Sequence, residues 1–120
     1  MSAFKGIGLS LVLLAGAPLE EALEFFQKAA QRRPTDADTF YNLGILCYKM
    51  GKLEKAVEYF RKSIELNPRN SKAYFNLGIV FYKKGLKSEA RLMFEKTSAL
   101  DPGGKTGELA RKNLQALKER

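Results

Sequence analysis

Apolar positions along the chain recur at helical spacing and, above that, with a longer period. From Phe40 the sequence reads FYNLGILCYKMG, and YFNLGIVFYKKG follows from Tyr74, 34 residues later. Across 37–70 and 71–104 the copies share Asn42/Asn76, Leu43/Leu77, Gly44/Gly78, Ile45/Ile79, Tyr48/Tyr82, Lys49/Lys83, Gly51/Gly85, Ala56/Ala90, Phe60/Phe94 and Pro68/Pro102. Such a period marks a repeat array, in which each unit buries its apolar face against its neighbours instead of in one central core.

Each copy is predicted to hold two helices. The first runs to about Met50 behind an S/T-x-x-D amino cap from Thr35 and Asp38, and stops at Gly51, a residue suited to a left-handed helix end. The second runs from about Leu53 to Leu66 and ends before Pro68. In the next copy Asn70 and Ser71 supply the cap, the helix continues through Lys84 to Gly85, and Lys87 to Leu100 is its partner. Upstream, Leu19, Ala22, Leu23, Phe26, Ala29 and Ala30 are spaced as one helix face, with Glu20, Glu21 and Glu24 near the positive amino end and Pro34 closing the element. Downstream of Pro102, Gly103 and Gly104, a helix over Gly107 to Lys118 places Ala110, Leu114 and Leu117 on one face, as a terminal cap should. The expected organisation is residues 18–36 as the second helix of a first repeat, 37–70 and 71–104 as full repeats, and 105–120 as a capping helix.

Residues 1–17 support two readings. As the degenerate first helix of repeat 1, they place Leu9 and Leu13 one period before Leu43 and Cys47. As a signal or anchor segment, they offer Lys5, an apolar run and the small residues Ala15, Gly16 and Ala17, although Pro18 would follow the cut and the run is short for a membrane span. Ile7, Leu11 and Leu14, exposed on an end unit, would favour homo-oligomerisation through residues 4–15. The expected location is cytoplasmic, or exported or membrane-associated if residues 1–17 are an address.

With these residues in view the chain resembles the tetratricopeptide repeat family, whose unit carries an aromatic, L-G, an aromatic, Ala, an aromatic and Pro at set positions. Phe40, Leu43, Gly44, Tyr48, Ala56, Phe60 and Pro68 fit it, as do Tyr74, Leu77, Gly78, Phe81, Tyr82, Ala90, Phe94 and Pro102; Gly6 and Ser10 depart from it in the first unit. The resemblance implies an all-α solenoid, a right-handed superhelix of helical hairpins with about three repeats and a cap. It also implies a non-catalytic adaptor or assembly module that holds a partner's peptide in a concave groove.

Spacing divides each first helix into two stripes. Phe40, Leu43, Gly44 and Cys47, with Tyr74, Leu77, Gly78 and Phe81, form a core face. The neighbouring stripe is Tyr41, Asn42, Ile45, Tyr48 and Lys49, echoed by Phe75, Asn76, Ile79, Tyr82 and Lys83. By resemblance this second stripe lines the groove, its amides suited to peptide backbone, its rings and isoleucines to apolar contact, and its lysines to carboxylates. The repeated asparagine has a plainer reading, a hydrogen bond to the neighbouring repeat. Some family members clamp the carboxylate tails of chaperones. Asn42 and Lys72 match that clamp by position, but Asn76 stands where a second base is expected and the first unit is apolar, so this clamp is not expected here. A groove apolar at its first unit and basic beyond it points to a ligand apolar at one end, and acidic or ending in a free carboxylate at the other.

Composition narrows the remaining classes. A hydrophobic share of 45% and a charged share of 28% describe a folded chain. The net charge of +8 favours acidic partners, but Lys52, Lys55, Arg61, Lys62, Lys87, Arg91 and Lys96 are scattered among acids, which argues against nucleic acid as the ligand and leaves an anionic membrane surface open. Histidine is absent and Cys47 is the sole cysteine, at an apolar position, so no metal site or cofactor is expected. GGKTG at 103–107 lacks the spacing of a phosphate loop and reads as a loop and helix cap. Glu20/Glu24 and Glu54/Glu58 are solvated helix charges, not an acid/base dyad.

Overall fold

The computed structural model describes residues 18–119, so the alternatives for residues 1–17, including association through 4–15, lie outside the described residues. Within that span are α1 (Leu19–Arg32), α2 (Ala37–Lys49), α3 (Leu53–Leu66), α4 (Ser71–Lys83), α5 (Lys87–Leu100) and α6 (Lys105–Lys118), with no strand. Helices α2 and α3 form one antiparallel hairpin and α4 and α5 the next; α1 packs on α2, α3 on α4, and α6 on α5 and α4. The result is an all-α helical-repeat array. None of its helices is long and apolar enough to cross a membrane, among the described residues.

The helix ends follow from local chemistry. Lys52 and Gly51 donate their N–H groups to the Cys47 and Tyr48 carbonyls, and Leu86 and Gly85 repeat the pattern with Phe81 and Tyr82. This paired closure requires a left-handed residue, and Gly51 and Gly85 supply it at φ 78° and 82°. Asn70 caps α4 by accepting from the Lys72 and Ala73 N–H groups. At α2 the cap is Asp36, not Thr35: its carboxylate accepts from the Asp38 N–H at 3.1 Å and from the Thr39 hydroxyl at 2.8 Å. An extended Asp36 backbone aims a charged acceptor at the positive end of the helix, which a hydroxyl at 35 would serve less well.

Small residues set how closely the hairpins close. A Cβ added to Gly44 would stand 2.7 Å from the Phe60 ring, and one on Gly78 would stand 2.7 Å from Phe94, so each ring lies flush on the opposite backbone. Ala56, Ala90, Phe60 and Phe94 are buried, and the buried Ser63 hydroxyl donates to the Ala37 carbonyl at 2.9 Å. Buried apolar residues run from Ala22 and Phe26, through Leu43 and Leu46, to Leu77, Phe94, Ala110 and Leu117. This is the distributed core expected of an array.

Helix α6 begins at Lys105, before the expected Gly107. Asp101 accounts for the difference, because its carboxylate accepts from the Gly107 N–H at 2.9 Å and neither Gly104 nor Gly107 has room for a Cβ beside it. A protein carboxylate therefore occupies the amino end of α6, where a phosphate would have to sit, which agrees with reading GGKTG as loop and cap.

Candidate peptide groove

The first helices of the two full repeats, α2 and α4, present their second stripes side by side. Tyr41, Asn42, Ile45, Tyr48, Phe75, Asn76, Ile79 and Tyr82 are half-buried, while Lys49, Lys72 and Lys83 are exposed. The rings of this stripe are anchored from below. Tyr41 meets Phe60 edge-on with centroids 5.9 Å apart, and Phe75 meets Phe94 at 5.7 Å. Each therefore keeps one side in the core and offers the other to a ligand.

The two repeats are also tied directly. The Asn76 side-chain amide donates to the Tyr41 hydroxyl at 3.0 Å, so the plainer reading of the repeated asparagine holds for this copy. Burial pushes the Tyr41 phenol above its ordinary range, against the opposing pull of the Asn76 hydrogen bond, so the hydroxyl stays neutral and keeps its proton to donate. Among the described residues no hydrogen bond reaches the Asn42 side chain, and the residue one period before Tyr41 is Ile7, which has no hydroxyl.

Toward the carboxyl ends of these helices the surface opens into two adjoining hollows. One, of about 420 Å³, is lined by Ile79, Tyr82, Phe94, Ala116 and Leu117, with Tyr48, Lys83 and Asn113 completing it. The other, shallower and of about 550 Å³, is lined by Leu19, Tyr48, Lys49, Gly51, Leu53 and Lys83. Tyr48 and Lys83 border both, so the two hollows adjoin. Among the described residues no Asp or Glu lines them, and no ion pair holds Lys49 or Lys83. Both lysines, like Lys118 on α6, stand in the last turn of a helix, where a cation also favours the negative end of the helix dipole.

The expected residues thus separate into an upper group, Tyr41, Asn42, Phe75 and Asn76, and a lower group, Tyr48, Lys49, Ile79, Tyr82 and Lys83, with Ile45 packed against the core. Lys72 joins neither lysine, since it lies at the opposite end of α4, about 16 Å from Lys83 along the helix axis. The sequence pattern missed Asn113, Ala116 and Leu117. Their signal was position, 34 residues after Ile79, Tyr82 and Lys83, but α6 reads as a cap, and its apolar face also forms a wall of the deeper hollow.

Two tetratricopeptide repeat profiles match this chain, one over residues 37–70 and another over 59–91. Residues 37–91 are tetratricopeptide repeats. Solved structures of tetratricopeptide proteins superimpose on nearly its whole length. The type III secretion translocator chaperone SycD of Yersinia enterocolitica matches with TM-score 0.85 and 18% identity, over 92% of this chain and 78% of its own. The first TPR of Spaghetti (RPAP3), bound to the HSP90 peptide SRMEEVD, matches with TM-score 0.82 and 19% identity, over 92% and 85%. YrrB, a TPR protein with an unusual peptide-binding site, matches with TM-score 0.77 and 21% identity, over 87% of this chain and 53% of its own. No curated protein matches the sequence. The tetratricopeptide repeats mark the chain as a protein-interaction module, a class in which the fold supplies the scaffold and the surface residues choose the ligand.

Proposed function

We propose that this module is a non-catalytic adaptor that holds an acidic peptide segment of a partner protein along the face shared by α2 and α4. The observation that carries the reading is the pair of adjoining hollows bordered by Lys49 and Lys83, with no carboxylate in their lining among the described residues. Two cations held by no ion pair among the described residues, beside the half-buried Tyr48, Ile79 and Tyr82, complement a segment that combines acids with apolar side chains. Asn42 adds an amide donor and acceptor for the peptide backbone. The acidic peptide on the Spaghetti domain supports the same class of ligand, although Asn76, here engaged by Tyr41, stands where that family's clamp would want a base.

The test is a titration of a fluorescein-labelled, glutamate-rich nonapeptide against the wild-type chain and against Lys49→Glu combined with Lys83→Glu. Affinity should fall by about tenfold or more in the double variant, and wild-type binding should weaken as salt is raised. Equal affinity for both proteins would refute the proposal.

A further inference from the structure

The deeper hollow names a second feature of the ligand, and this step rests on the groove reading above. The geometry points to a specificity hollow between α4 and α6. It receives one large apolar side chain of the bound segment, while acidic side chains next to that residue face Lys83 and Lys49.

Several observations converge on this arrangement. At about 420 Å³ the hollow falls in the range of specific pockets and readily admits a leucine or phenylalanine side chain. Its walls, Ile79, Phe94, Ala116 and Leu117, are hydrocarbon, and its polar groups, from Tyr48, Tyr82, Lys83 and Asn113, belong to amphipathic or rim residues. Lys83 borders the hollow directly, so the apolar and anionic groups of the ligand must be adjacent in space. The apolar contact expected at the first repeat falls on residues outside the described span, and this hollow adds an apolar contact at the other end. The next residue, Lys84, is already engaged by Glu54 at 2.7 Å, which leaves Lys83 and Lys49 as the cations facing the hollows. These two stand on successive inner helices, one repeat apart, and so match a run of acidic side chains better than a single terminal carboxylate. The chain's own apolar stretch, residues 1–17, carries Lys5 and no acid, and does not complement this rim.

The experiment is a selection of random nonapeptides fused at their carboxyl ends to a phage coat protein, so that no free carboxylate is offered, against the immobilised full chain. Enriched peptides should carry Leu, Ile, Phe, Tyr or Trp within about three positions of Asp or Glu, the reach of neighbouring positions on one face of a bound segment. A fluorescein-labelled winner with an amidated carboxyl end should lose about tenfold to a hundredfold in affinity when its apolar residue becomes Ala. Ala116→Phe fills the hollow from an exposed position and should cause the same loss, with no further loss when both changes are combined. Asn113→Phe is the second filling variant, and a helical circular-dichroism signal and unbroken thermal transition confirm that each variant is folded. Acidic winners without an apolar residue, or winners that bind Ala116→Phe and Asn113→Phe as they bind the wild type, overturn the hollow while leaving the groove in place. Failure to enrich any acidic peptide overturns the groove and the hollow together.

Discussion

Tyr41→Phe is the most discriminating single perturbation of the groove. It removes one oxygen and leaves the ring, and phenylalanine is already what the next repeat carries at this place: Phe75 sits 5.7 Å from Phe94 as Tyr41 sits 5.9 Å from Phe60. Ring packing should therefore survive, and the loss should be confined to the 3.0 Å bond from Asn76. A neutral hydrogen bond contributes about 0.5–1.5 kcal/mol net, and because Asn76 is only half-buried, water can reach the amide and hold the cost near the lower half of that range. With a urea slope of about 1–2 kcal/mol per molar for a domain of this size, the midpoint should fall by about 0.5 M. Asn76→Ala should cost a similar amount, and the double variant little more, giving a coupling of about 0.5–1 kcal/mol in a denaturation cycle. Asn42→Ala is the internal comparison, since no bond to its side chain exists among the described residues, and should change stability by less than about 0.5 kcal/mol while weakening peptide binding. Additive effects of Tyr41→Phe and Asn76→Ala, or a stability loss at Asn42 equal to that at Asn76, would show that the inter-repeat bond does not do what is argued here.

Two further outcomes test the scaffold. Gly44→Leu drives a side chain into the Phe60 ring, which a single Cβ would already approach to 2.7 Å, and should cost about 2 kcal/mol, visible as a melting temperature lowered by about 10 °C; an unchanged melting temperature would refute the close approach. Lys84 joins the second full repeat to Glu54 at 2.7 Å and, chiefly through that hydrogen bond, lowers the Glu54 carboxyl below its ordinary range. A carboxyl depressed in the folded state stabilises at pH values above its unfolded range and loses that contribution as acid titrates the folded group. The stability gap between the wild type and Lys84→Met should therefore be present at neutral pH and vanish toward strongly acidic pH, as followed by urea midpoints. A gap independent of pH would assign the effect of Lys84 to packing.

The fold was legible because an array repeats its structural needs. Gly44 and Phe60 must match each other, Gly78 and Phe94 must match in the same way, and Gly51 and Gly85 must both adopt a left-handed turn. Identity between copies therefore picks out what the scaffold requires. The groove was legible only where it coincides with such identities, as at Tyr48/Tyr82 and Lys49/Lys83, which border the hollows. It was hidden where it depends on differences. Asn42 and Asn76 are the same residue at the same place, yet Asn76 is engaged by the Tyr41 hydroxyl of the preceding unit, while no hydrogen bond reaches the Asn42 side chain among the described residues. Helical spacing places Tyr41 on the stripe, but the role of its hydroxyl has no echo, because the matching residue is Phe75. Asn113 and Ala116 escape a search for repeated residues, because α6 begins one period after α4 but keeps neither residue type of Ile79 and Tyr82, 34 positions earlier. In a protein of this construction the shared positions build the surface, and the unshared ones, Tyr41 against Phe75 and the whole inner face of α6, make one end of the groove different from the other. A ligand bound along such a surface meets a sequence of distinct contacts and is held in one register, which a groove of identical units could not enforce.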